Sequence, residues 1–204
     1  MSEVAIIEYG MGNIQSVANA FEKVGARPVL VHNADELGSY DHVVLPGVGA
    51  FRAAMEHLHE ADGLIEALNQ HVKAGKPILG ICLGMQLLAK TSQEGGETQG
   101  LGWIDAEVVP FEIDTALKIP HMGWNALKQM HSHAVLDGFN DGSDVYFVHS
   151  YHMQCANPDN VLLTCEYGGE FTAVVADENV IGMQFHPEKS QNVGLRMLAN
   201  FLEI

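Results

Sequence analysis

Cys82, His186 and Glu188 are residue types that could carry out covalent acyl transfer together. A thiol attacks a carbonyl carbon, an imidazole takes and returns the proton, and a carboxylate beside it orients the ring. Cys82 stands in Gly80-Ile81-Cys82-Leu83-Gly84, after an apolar run from Lys76 that reads as a buried strand. Met85 to Lys90 reads as the opening of a helix. Small residues flank a nucleophile where a strand turns sharply into a helix. The positive end of that helix would favour a thiolate. The same pentapeptide also suits a core cysteine at a strand-to-helix crossing. His186 and Glu188 lie two apart in Phe185-His186-Pro187-Glu188. On an extended segment both point to one side, and Pro187 biases His186 towards that conformation. Taken alone, this segment reads rather as a surface turn with a solvated His and Glu.

The elements that must position these residues alternate in the first half. Val4–Ile7, Pro28–Val31, His42–Leu45 and Lys76–Cys82 read as strands. Between them, Ile14–Val24, Phe51–His59 and Leu64–Lys73 show helical spacing, with Asn13 as a candidate cap for the first. This predicts an α/β fold with a mostly parallel, doubly wound sheet flanked by helices. Pro46-Gly47-Val48-Gly49 ends the third strand. In open α/β sheets ligands bind at the carboxyl edge, and a glycine-rich backbone there can present N–H groups to an anion. An ordinary strand-to-helix turn would look the same. In the second half, Trp103–Val109, Val145–His149, Val161–Cys165, Phe171–Ala176 and Val180–Phe185 read as strands separated by turns. They predict an antiparallel extension, closed by a helix over Gln191–Leu202. No linker or repeat interrupts the chain, so a single domain over residues 1–204 is expected. The polar loop Ser92–Glu97 follows the elbow and is placed to border a pocket.

The 204 residues carry a formal net charge of -16, which argues against nucleic acid or an anionic membrane surface as the main partner. Three cysteines without CxxC spacing read as reduced thiols, with no metal site. The start of the chain lacks the charged and apolar regions of a signal peptide, and no apolar run approaches a membrane span. A cytoplasmic protein is expected. Gly10-x-Gly12 resembles the start of a dinucleotide fingerprint, but Gln15 stands where the third glycine belongs. No Walker-type phosphate loop is present, and no cofactor is implied. His57, His59, His131 and His133 read as solvent-facing.

Six segments together resemble the class I (triad) glutamine amidotransferases, and within them the glutaminase subunits of imidazole glycerol phosphate synthase. They are Glu8-Tyr9-Gly10-Met11-Gly12-Asn13, Pro46 to Phe51, Gly80 to Gln86, Pro120-His121-Met122-Gly123-Trp124-Asn125, Tyr146 to Tyr151 and Gln184 to Ser190. The cysteine elbow and His-Pro-Glu mark the superfamily. The Gly-Met-Gly-Asn and Pro-His-Met-Gly-Trp-Asn segments point to the histidine-pathway branch. Glu8 departs from the family's more usual Asp and keeps the charge.

The resemblance implies that Cys82 attacks the side-chain amide of glutamine, with His186 as base and acid and Glu188 as orienter. A γ-glutamyl thioester follows, and water releases glutamate. Backbone N–H groups of Leu83 and of Val48 or Gly49 would hold the oxyanion. Gly47, Gly49, Gln86, Glu94, His149, Ser150 and Tyr151 match positions around the substrate. The chain shows no machinery for an acceptor, and ammonia released into water would mostly protonate and diffuse away. The family's partner is a (β/α)8-barrel cyclase, and Asn13, Met122, Trp124 and Lys189 match positions that face it. Two other expectations stay open. One is a glutaminase serving anthranilate, aminodeoxychorismate or pyridoxal phosphate synthesis. The other is a non-catalytic regulatory subunit of the same fold.

Overall fold

The computed structural model describes residues 2–38, 40–113 and 117–204. The strands are β1 (Glu3–Ile7), β2 (Arg27–Val31), β3 (His42–Gly47), β4 (Ile78–Cys82), β5 (Ala89–Ser92), β6 (Thr98–Gln99), β7 (Ile104–Pro110), β8 (His121–Gln129), β9 (Asp144–His149), β10 (Tyr151–Cys155), β11 (Val161–Glu166), β12 (Glu170–Asp177) and β13 (Val180–Met183). The α-helices are α1 (Ile14–Lys23), α2 (Ala34–Leu37), α3 (Phe51–Glu60), α4 (Leu64–Lys73), α5 (Leu83–Leu87) and α6 (Gln191–Phe201). None is long and apolar enough to cross a membrane among the described residues.

Alternation along the strands divides the core between two faces, because successive side chains point to opposite sides. Val4 and Ile6 of β1 join Val17 and Phe21 of α1 and Leu198 and Phe201 of α6 in one cluster. Ala5 and Ile7 join Phe51 and Leu58 of α3 and Leu64 and Leu68 of α4 in the other. Helices therefore cover both faces, as the strand–helix alternation predicts. The nine-stranded sheet runs β2-β1-β3-β4-β13-β12-β11-β8-β9. It is parallel from β2 to β13 and antiparallel from β13 to β9.

Four features differ from expectation. The elbow helix α5 ends at Leu87, and Ala89–Ser92 is a strand, so the helical opening expected through Lys90 is cut short. With β6, β7 and β10 this strand builds a second sheet of order β10-β7-β5-β6. Strands β5, β6, β8 and β10 and helix α2 carry weak apolar alternation in the sequence, because much of each is polar or half-exposed. The third strand does not stop at Pro46. Pro46 pairs with Ile81 and Gly47 with Cys82, whereas pairing with β1 ends at Val44. Pro46 thus lies beyond the reach of β1, where a missing N–H breaks no ladder bond on that side. Asn13 occupies the N-cap position of α1, but its side chain makes no cap hydrogen bond. Asn33 instead caps α2, accepting from the Glu36 N–H.

Candidate active site

Three neighbouring parallel strands end at one edge and deliver the site. β4 lies between β3 and β13, with Gly47 beside Cys82 on one side and Met183 beside Ile81 on the other. The carboxyl ends of β3, β4 and β13 therefore bring Val48-Gly49, Cys82-Leu83 and His186 to one edge.

Cys82 sits at φ 54° and ψ -111°, a left-handed backbone that is uncommon for a residue with a side chain. The flanking glycines explain how the elbow is made. A Cβ on Gly84 would run into the Leu45 carbonyl oxygen, and one on Gly80 would lie 2.6 Å from the Gly84 carbonyl oxygen. The turn after Cys82 folds back onto β3 and β4 at a separation that only glycine permits. Tyr9 braces it from below, donating from its phenol to the Pro46 carbonyl at 2.9 Å. Burial first, and Cys82 second, push the Tyr9 phenol well above its ordinary range.

His186 is buried, and its Nδ1 lies 2.8 Å from Glu188 Oε1. Pro187–Lys189 forms a 3-10 turn rather than the expected extended segment, since the φ of Pro187 suits the first position of a helical turn. The carboxylate nevertheless meets the ring, because His186 itself keeps an extended backbone. The Ser190 hydroxyl donates to the His186 carbonyl at 2.7 Å and accepts from the Tyr146 N–H at 3.0 Å, tying this turn to β9. His186 Nε2 is buried and completes no well-aligned hydrogen bond, although Cys82 stands close enough to act on the ring's charge. Burial works against the imidazolium. Cys82 and Glu188 outweigh it and push the ring up to about 9.

A cavity of about 270 Å³ opens over these groups. Cys82 and His186 line it together with Val48, Gly49, Leu83, Gln86, Glu94, His149, Ser150 and Tyr151, all expected at the site. Gly47 is the exception. It is buried within β3, where a Cβ would lie 2.7 Å from the Tyr9 hydroxyl, so its role is to allow close packing beneath the elbow. Glu94 Oε2 accepts from the Phe51 N–H at 2.7 Å, which places the loop after β5 against the start of α3. A larger cleft of about 370 Å³, beside Phe111 and His152, holds none of the three chemical residues. His133 departs from the solvent-facing expectation, half-buried and accepting from the Val135 N–H.

Three lining or supporting residues lie in the segments that carry the family resemblance but have no role assigned from the sequence, and one of them, Val148, lines the cavity. Pro120 borders the cavity. Gln184 is fully buried, donates towards Cys82 Sγ at 3.9 Å and accepts from Gln86 Nε2 at 3.1 Å. A polar residue inside the apolar run Val180–Phe185 was the available signal, since buried amides must find partners. Outside the cavity, Asn13, Met122, Trp124 and Lys189 are all exposed, Met122 by 61% and Trp124 by 45%. Trp124 and Lys189 converge on Tyr146, at 5.9 Å between rings and 5.8 Å from ammonium to ring.

A strand-borne cysteine elbow with a His–Glu pair on the adjacent strand end is an arrangement suited to covalent acyl transfer. The family model described as glutamine amidotransferase class-I matches residues 5–204, and the chain belongs to that family. Its relatives narrow the class to the HisH branch. It is 50% identical over 208 residues to the imidazole glycerol phosphate synthase subunit HisH of Rhodospirillum rubrum, covering 98% of this chain and 97% of that protein. It is 46% identical over 202 residues to subunit HisH 2 of Pseudomonas aeruginosa, covering 98% and 99%. The fold is also similar to a solved glutamine amidotransferase, with TM-score 0.76 at 19% identity over 98% of this chain and 99% of that one. PurLQS from Thermotoga maritima is similar with TM-score 0.74 at 21% identity, over 99% and 98%.

Proposed function

We propose that the protein hydrolyses glutamine to glutamate and ammonia and passes the ammonia to a (β/α)8-barrel cyclase. The pair would be the heterodimer that makes imidazole glycerol phosphate and AICAR in histidine biosynthesis. The observation that carries this is the shared cavity, in which Cys82 and His186 face a pocket of amino-acid size ringed by Gln86, Glu94 and residues 149–151.

In this reading the Cys82 sulfur attacks the amide carbon and its proton resides on His186. Glu188 holds the ring by Nδ1, leaving Nε2 towards the sulfur and the leaving nitrogen. The tetrahedral oxyanion is met by backbone N–H groups at Leu83 and at Val48 or Gly49. Collapse breaks the carbon–nitrogen bond as His186 returns the proton, and ammonia leaves a γ-glutamyl thioester. Water, deprotonated by His186, then attacks the thioester and frees glutamate and the Cys82 thiol. No cofactor enters these steps. Asn13, Met122, Trp124 and Lys189 form the surface on which the cyclase docks, and the whole of residues 1–204 acts as one domain.

The test is glutamate production with and without the barrel cyclase and its nucleotide ligand. Activity should rise sharply with the partner and vanish in Cys82→Ala. Undiminished glutamine hydrolysis by Cys82→Ala would overturn the reading. Copurification of a different synthase would favour anthranilate, aminodeoxychorismate or pyridoxal phosphate chemistry instead. Failure of a glutamine-mimicking electrophile to label Cys82 would favour a non-catalytic subunit.

A further inference from the structure

A buried chain of hydrogen bonds runs from β8 to the nucleophile. Asn125 Nδ2 lies 2.7 Å from His121 Nε2, and His121 Nδ1 lies 2.9 Å from His149 Nε2. His149 Nδ1 lies 2.8 Å from the Tyr151 carbonyl oxygen. The same carbonyl accepts from Gln86 Nε2 at 3.0 Å, Gln86 Nε2 also donates to Gln184 Oε1, and Gln184 Nε2 reaches Cys82 Sγ.

The carbonyl sets the direction of every bond before it. A carbonyl oxygen only accepts, so His149 donates from Nδ1. With a neutral ring its Nε2 must accept, so His121 donates from Nδ1 and accepts at Nε2, and Asn125 must donate. Protonation of either ring would set two N–H groups against each other. Burial opposes this, holding His149 down to about 3 and His121 to about 4. The rings are also fixed sideways. His121 stacks between Phe147 and Tyr167, with centroids at 4.8 Å and 4.0 Å.

We propose that His121 is a positioning residue for the glutaminase site, holding the Tyr151 edge of the pocket and, through Gln86 and Gln184, the setting of Cys82. The inference rests on the glutaminase reading and adds to it a link to the docking face. Along β8 the side chains alternate, so Met122 and Trp124 are exposed while His121 is buried and Asn125 half-buried beside it. A protein seated on Met122 and Trp124 would act on the strand in which the chain begins.

His121→Phe keeps the ring stack and deletes both hydrogen bonds. His121→Asn restores an N–H donor near the Nδ1 position, and Asn125→Ala removes the first donor without touching the stack. With the barrel partner present, His121→Phe should lower kcat/KM about tenfold, the effect of one buried hydrogen bond. His121→Asn should recover most of that loss, and Asn125→Ala should show a smaller one; His121→Phe, which leaves His149 Nε2 unpaired, should also melt lower, but the kinetic losses should not track melting temperature across the three. Iodoacetamide modification of Cys82, followed by peptide mass, should change in the same order and needs no turnover. Unchanged kinetics and alkylation in both His121→Phe and Asn125→Ala would overturn the proposal. So would losses that follow melting temperature alone with no rescue by Asn. Variants that alkylate in this order, from a parent that releases no ammonia, would overturn the glutaminase reading while leaving the relay standing.

Discussion

Glu188 Oε1 stands 2.8 Å from His186 Nδ1, with both side chains almost wholly shielded from solvent. Burial alone would favour the neutral ring, and the raised position of His186 at about 9 requires Cys82 and Glu188 to outweigh it. The imidazolium is the form that returns a proton to departing ammonia, so kcat/KM should fall as pH rises through about 9. Glu188→Gln removes one of the two acidic partners. The alkaline limb should move to lower pH and the neutral-pH rate should fall about 10- to 100-fold. A pH–rate profile of both proteins checks the shift, and an unmoved limb contradicts it.

The backbone at Cys82, φ 54°, stores strain that the side chain's chemistry requires. Cys82→Ala and Cys82→Gly should both abolish turnover. Only glycine relieves the left-handed conformation, so Cys82→Gly should be the more stable of the two by about 1 kcal/mol. Denaturant midpoints of the two variants measure this directly.

The parallel half of the fold and the elbow were legible because they rest on local signals. Val4–Ile7 and Val43–Leu45 are unbroken apolar runs, and Phe51–His59 and Leu64–Lys73 keep helical spacing over more than two turns. Most of the cavity residues were readable through family resemblance. The parallel neighbours β3, β4 and β13 bring Val48, Gly49, Cys82, Leu83 and His186 together, and Glu94 and residues 149–151 reach the same cavity from the loop after β5 and from β9 and β10. What stayed hidden depends on tertiary pairing. Strand β8 reads His-Met-Gly-Trp-Asn-Ala-Leu-Lys-Gln, with few apolar residues facing inward, and it exists because β9 and β11 flank it. The short strands β5 and β6 likewise form only by lying beside one another and β7. The Asn125–His121–His149 chain joins residues 28 apart, across a strand pair that no spacing rule reveals.

Gly84 and Gly38 predict opposite outcomes for the same substitution. At Gly84 a methyl group would collide with the Leu45 carbonyl oxygen, backbone that cannot swing aside. Gly84→Ala should therefore cost about 3 kcal/mol or more and yield little folded protein. Gly38 has φ -61° and open space around its Cβ position. Gly38→Ala should leave activity unchanged and stabilise by about 0.4–1 kcal/mol, through a less flexible unfolded chain. Expression yield and thermal melts distinguish the two, and a well-folded Gly84→Ala would contradict the packing argument.

The two relay histidines should make the fold acid-labile before its carboxylates do. Folded, His149 and His121 are held by burial to about 3 and about 4, against an ordinary value of 6.5. Between those limits the unfolded chain binds more protons than the native one, so stability rises with pH. Their contribution is complete above about 6.5 and is lost as pH falls towards 4, with a limiting slope of about 1.4 kcal/mol per pH unit for each ring. His186 does not offset this, because its raised value makes its own contribution full below 6.5 and lost only as pH rises through about 9. Urea midpoints should therefore drop steeply between about pH 6.5 and about pH 4.5. The drop should be shallower in His121→Phe, which removes one of the two most strongly lowered rings, while His42, His71, His133 and His152, also lowered by burial, keep their share of it. An equal slope in the variant would show that acid unfolding begins elsewhere.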